Sequence, residues 1–135
     1  MWPEDLKAIY SRMKNLKILG EPRYPLHSRP FIFQEVIDMG NEGVKKQEYN
    51  GIGTIIDFVY GIVLGRVFRG LENLSVLKEW GYPYRGLLPS NDALVMVDNH
   101  DNQRGHGAGG ATILTHKDPQ LYKVYFVHVS FKNYI

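Results

Sequence analysis

The sequence contains no cysteine. That excludes disulfides, thiol nucleophiles and thiolate metal sites, without fixing a redox compartment. It also lacks a strong charge of either sign. Sixteen Lys and Arg against fourteen Asp and Glu leave a formal +2, too little to point to nucleic acid or a membrane surface. No apolar run approaches the ~20 residues of a membrane span. The opening Met1-Trp2-Pro3-Glu4-Asp5 carries early acids and no apolar stretch, unlike a signal peptide. Low-complexity tracts and long internal repeats are absent as well. What remains is 135 residues, 44% hydrophobic and 22% charged, the composition and length of one ordinary globular domain.

Residues 2–19 read as a helix, because Leu6, Ile9, Met13 and Leu16 recur at spacings of three and four. Pro3 suits a first turn, Glu4 and Asp5 the positive end of the helix dipole, and Lys14 and Lys17 the negative end. Gly20, Pro22 and Pro25 then predict a loop. Pro30-Phe31-Ile32-Phe33-Gln34-Glu35-Val36-Ile37 is aromatic and β-branched, which predicts a buried strand. Residues 38–53 are polar and Gly-rich, a long loop, and Thr54–Phe58 is a second strand. Tyr60–Arg69 and Glu72–Trp80 read as two short helices broken by Gly70. Asp92–Asp98 is the third strand, its continuous apolar run being typical of parallel strands buried on both faces. Short helices are expected at Ala111–Leu114 and from Pro119. Strand, helices, strand, helices, strand is an α/β rhythm of βα units.

Polar residues cluster where such folds put their chemistry, at the carboxyl ends of strands. Asp98-Asn99-His100-Asp101-Asn102-Gln103-Arg104 follows the third strand directly. Two carboxylates, an imidazole, amides and a guanidinium are costly to half-bury without purpose, so a site is favoured over a plain loop. Glu35 interrupts the apolar segment PFIFQEVI. It reads either as a general acid in apolar surroundings or as a Glu at the strand's solvent end paired with an Arg. With Asp101 it makes a carboxylate pair on two strands, as glycoside hydrolysis uses. Gly105–Gly110 matches G-x-G-x-x-G formally. Seven polar residues separate it from its strand and no acid follows at the ribose distance, so a mobile flap is the better reading. His100, Asp101 and His106 do not have the spacing of a standard metal set. His27, His116 and His128 stand alone, as surface or structural residues. Trp80, Tyr82 and Tyr84 suit sugar stacking or, more simply, loop packing.

The run Val97-Asp98-Asn99-His100-Asp101-Asn102-Gln103-Arg104-Gly105-His106-Gly107-Ala108-Gly109-Gly110 resembles the animal-type, chloride-dependent α-amylases. Pro30–Asp38 resembles the segment bearing that family's proton donor, and Met1-Trp2-Pro3 the stretch just after its nucleophile strand. Order and spacing agree from Met1 to about Val124.

The resemblance implies a partial (β/α)8 TIM barrel, about strands five to seven with their helices. Residues 1–124 would be the C-terminal half of the catalytic barrel, and 125–135 a divergent tail. It implies a retaining hydrolase of α-1,4-glucosidic bonds in starch and glycogen. Glu35 would be the acid/base and Asp101 the transition-state stabiliser. His100, Ile37, Glu42 and His106 would bind substrate, and Asn99 would be a chloride ligand. Calcium, chloride and an extracellular location belong to the full-length family. The nucleophile strand, both chloride-binding arginines and most calcium ligands have no counterpart in these residues. The isolated chain is therefore expected to be inactive. The alternatives are a non-catalytic glucan-binding remnant and a gene-model artefact. Tail residues Val124–Phe131 alternate like a strand, unlike the family's helix there.

Overall fold

The computed structural model describes residues 1–17, 25, 27–79, 81 and 84–124. Three short parallel strands form its sheet: β1 (Phe33–Gln34), β2 (Thr54–Ile56) and β3 (Ala93–Leu94), in the order β1-β2-β3. Phe33 lies opposite Thr54, and Ile56 opposite Leu94. The pairing continues outward through Thr54 N–H to the Ile32 carbonyl at 2.9 Å and Asp57 N–H to the Leu94 carbonyl at 3.0 Å. The strands occupy the expected places but are shorter than the apolar runs that predicted them. Among the described residues β1 and β3 each pair only with β2.

Helix α2 (Phe58–Phe68) follows β2 at once and carries the longest buried face. Tyr60 and Leu64 pack with Leu87 and Leu114, and Val95 and Val97 join them from beyond β3. A second cluster, Val36, Tyr49, Ile55 and Leu88, gathers about the middle of the sheet. Ile56, Phe58 and Ala108 form a third on the opposite face, with Leu94 and Met96 against it. Ile55, Leu64 and Leu114 are fully buried, each worth about 1.5–3 kcal/mol. The run 92–98 is only half-buried, contrary to the two-sided burial expected of it. Val95 and Val97 pack against the cluster of Tyr60, Leu64, Leu87 and Leu114, and Leu94 and Met96 against that of Ile56, Phe58 and Ala108.

Helix α1 covers Pro3–Arg12, not 2–19. Ile9, Met13 and Leu16 of its predicted apolar face are exposed, so packing gives the helix no reason to continue. The Arg29 guanidinium donates to the Tyr10 and Met13 carbonyls and takes over the helix end. Leu16 N–H turns to the Ser28 carbonyl at 2.8 Å. The helices expected at 72–80 and 111–114 are 3-10 turns, Leu74–Glu79 and Gly110–Thr112. A further 3-10 turn, Lys46–Tyr49, lies inside the loop expected at 38–53. Residues 119–124 are helical, as predicted from Pro119. The tail 125–135, Gly20, Pro22, Trp80, Tyr82 and His128 lie outside the described residues, as does the Tyr84 side chain. His27, at φ 67°, and His116 are exposed.

Candidate functional site

Because the strands are parallel, the residues that follow each of them emerge at one edge of the sheet. Glu35 follows β1, Asp57 follows β2, and Asp98 to Asp101 lie just past β3. Along β1 burial alternates: Gln34, Val36 and Asp38 are buried, whereas Phe33, Glu35 and Ile37 are exposed. The Glu35 side chain is exposed on this strand. Among the described residues no cation pairs with it.

Asn99 caps the four-residue helix α3 (His100–Gln103), its Oδ1 accepting the Asn102 N–H at 2.9 Å. The cap uses the carbonyl oxygen and leaves the amide Nδ2 as a donor. His100 and Asp101 stand together, Nε2 to Oδ1 at 3.4 Å, with side chains 76% and 44% exposed. Both are open to a ligand. Asp98 is held by both oxygens: Tyr122 Oη donates at 3.0 Å and Gln103 Nε2 at 3.1 Å. Burial, and then the Asp98 carboxylate, push the Tyr122 hydroxyl above its ordinary pKa.

The loop at 105–110 is tied to this site rather than hung beside it. Asn102, buried, donates through Nδ2 to the His106 and Ala108 carbonyls at 3.2 and 3.1 Å. His106 N–H donates to the Asp101 carbonyl at 2.8 Å, leaving the imidazole exposed. Gly107, at φ +74°, passes so close that a Cβ there would lie 2.9 Å from the Asp101 Cβ. Only glycine gives the loop both that turn and that approach.

Glu42 folds back on its own loop, Oε2 accepting the Met39 and Asn41 N–H groups at 2.6 and 3.1 Å. The structure therefore collects His100, Asp101, Asn99 and His106 around α3, and Glu35, Ile37 and Glu42 around the end of β1. Among the described residues no hydrogen bond joins the two groups.

Sequence reasoning missed a buried charge cluster behind the β1 group. Lys46 Nζ meets Asp57 Oδ1 at 3.4 Å with side chains 5% and 1% exposed, and the Leu88 N–H donates to Asp57 Oδ2 at 2.7 Å. Asp38 accepts the Gly40 and Lys46 N–H groups at 2.9 and 3.1 Å and lies 3.6 Å from Lys45 Nζ. Burial works to raise the Asp38 pKa, but those N–H groups and the two lysine charges outweigh it, and the net shift is downward. A signal existed. In Ile55-Ile56-Asp57-Phe58 a carboxylate sits within an apolar run and requires a cation.

No family model matches the chain. Known proteins do. The pancreatic alpha-amylase of Sus scrofa is 54% identical over 126 residues, 92% of this chain and 24% of that protein. Alpha-amylase 2B and pancreatic alpha-amylase of Homo sapiens are each 52% identical over the same share. Alpha-amylase I of Eisenia fetida superposes with a TM-score of 0.80 at 45% identity, over 93% of this chain and 25% of that one. A mutant of it in complex with maltohexaose gives 0.79 at 43%. The chain spans about a quarter of the length of the relatives it matches.

Proposed function

We propose, from the homology to animal alpha-amylases that both sequence and structure show, that this chain forms part of the catalytic barrel of a retaining α-1,4-glucan hydrolase. Residues 1–124 supply about strands five to seven with their helices, and 125–135 a divergent tail. Glu35 acts as acid/base, protonating the departing glycosidic oxygen, and Asp101 stabilises the transition state and grips sugar hydroxyls. His100 hydrogen-bonds the sugar at the cleavage subsite, and Ile37, Glu42 and His106 line neighbouring subsites. One observation carries this reading. The parallel order β1-β2-β3 brings Glu35 and the Asn99–Asp101 group out at the same edge of one sheet, in a chain 52–54% identical to animal alpha-amylases.

Retention needs a carboxylate nucleophile to form the glycosyl-enzyme. These residues contain no match to the family's nucleophile segment, so the 135 residues alone do not hydrolyse starch. In the full-length family, chloride tunes the acid, and a domain outside these residues supplies most calcium ligands. Among the described residues no group of three or more His, Asp or Glu is placed to hold a metal ion. For chloride, Asn99 offers a single amide donor. The described residues do not fit a complete site for either ion. An extracellular location follows from the same family reading.

The experiment is a reducing-sugar assay of the purified chain on starch. The expected result is no release. Release that Glu35→Gln abolishes would overturn the inactivity but support the assignment of the acid. A second reading, a non-catalytic glucan-binding remnant, is favoured by the open faces of His100 and Asp101. Calorimetric titration with maltohexaose separates the two: saturable binding lost in Asp101→Asn supports it, and a flat response at millimolar ligand removes it.

A further inference from the structure

The loop that follows β1 encloses, with the first turn of α2, a cavity of about 250 Å³. Lys45, Lys46 and Arg85 line it, against a single carboxylate, Asp38. Each cation has a carboxylate partner: Lys45 has Asp38, Lys46 has Asp57, and Arg85 has Glu72. Asp57 and Glu72, however, are not part of the cavity wall. Of the charged residues in the wall itself, three are cations and one is a carboxylate.

Lys46 is the informative residue. Its side chain is 5% exposed, and its ammonium meets Asp57 at 3.4 Å, a long contact. An ammonium carries three N–H donors, and a buried one left short of acceptors is costly. The cavity is where acceptors fit. Val59, in the first turn of α2, also lines it. Asp57 holds the N-cap position of α2 yet makes no cap hydrogen bond, because its oxygens serve Lys46 and Leu88. The positive end of α2 is thus left without its usual side-chain acceptor.

We propose that this cavity binds a small oxyanion, held by Lys46 and Lys45, with Arg85 and the first turn of α2 adding to the attraction. It lies beyond β1 on the 38–49 loop, and the assignment stands independently of the glycosidase reading. The volume suits a tetrahedral oxyanion with accompanying water better than a bare halide.

The test is titration of the 135-residue chain with inorganic phosphate at constant ionic strength, by calorimetry and thermal melting, with a chloride salt as the matched control. The expected result is saturable binding near one per chain and a Tm that rises with phosphate but not with chloride. Lys46→Met should abolish both. Lys45→Gln, whose side chain is 44% exposed, keeps the fold and should weaken binding by about tenfold. Four results overturn the proposal: no saturable heat, equal shifts with chloride, unchanged binding in Lys45→Gln and Lys46→Met, or no cooperative melt even in phosphate.

Discussion

Gly65 and Thr112 touch backbone to backbone: a Cβ on Gly65 would lie 2.0 Å from the Thr112 carbonyl oxygen. At the C-cap of α2, Arg69 donates to that same carbonyl, to the Ile113 carbonyl at 3.4 Å and to Asp118 at 2.9 Å. The glycine lets the segment behind the 105–110 loop approach the helix, and the arginine holds it there. Gly65→Ala should therefore destabilise the chain by about 2–3 kcal/mol, overpacking outweighing the gain of about 1 kcal/mol in helix propensity. Urea denaturation measures this. An unchanged or raised midpoint would refute the close approach.

The buried and exposed charge pairs should differ sharply. Asp57→Ala leaves the Lys46 ammonium uncompensated, and the expected loss is about 3–5 kcal/mol. Lys45→Ala removes a half-exposed partner of Asp38, with an expected loss of about 0–1 kcal/mol. The two variants' melting temperatures decide whether Lys46 and Asp57 are paired inside the fold.

Acid should weaken the fold through Asp38 and Glu72. At Asp38 burial is outweighed by the Gly40 and Lys46 N–H groups and the Lys45 and Lys46 charges, which hold the carboxyl low. For Glu72, hydrogen bonds from Arg85 and then Arg66 hold the carboxyl low against a smaller opposing effect of burial. A carboxylate whose folded pKa is depressed contributes stability above its unfolded value, here 3.8 for Asp38 and 4.5 for Glu72. That contribution is lost as pH falls through the folded pKa. Urea midpoints should fall on acidification below about pH 5. The fall should be shallower in Asp38→Asn/Glu72→Gln.

Asn99 offers a test that separates its cap from any anion contact. Asn99→Ala removes the acceptor for the Asn102 N–H and should cost about 1 kcal/mol. Asn99→Asp keeps an acceptor there and should retain stability, while removing the amide donor that a chloride would use. Thermal melting compares the two. Equal loss in both would dismiss the cap.

The sequence made the α/β order, the three strand positions and the polar burst after β3 readable, because apolar periodicity and strand-end chemistry are local signals. Element lengths were less readable. Leu6, Ile9, Met13 and Leu16 keep helical spacing whether or not anything covers them, and only packing decides how far α1 runs. Lys46 was hidden for the opposite reason. In a polar stretch it reads as solvated, and its burial depends on Asp57, eleven residues away. Glu35 remained ambiguous because alternation along a strand tells which residues share a face, not which face is covered.

That alternation carries a consequence for how the chain behaves in company. Phe31, Phe33 and Ile37 are 70%, 56% and 43% exposed, and they turn to the same side of β1 as Glu35. Whatever shelters the two rings, which already stack at 6.4 Å, also roofs the carboxylate. The stickiness of this strand and access to Glu35 are therefore governed by one contact: a surface that covers the rings also sets how much water, and what else, can reach the acid.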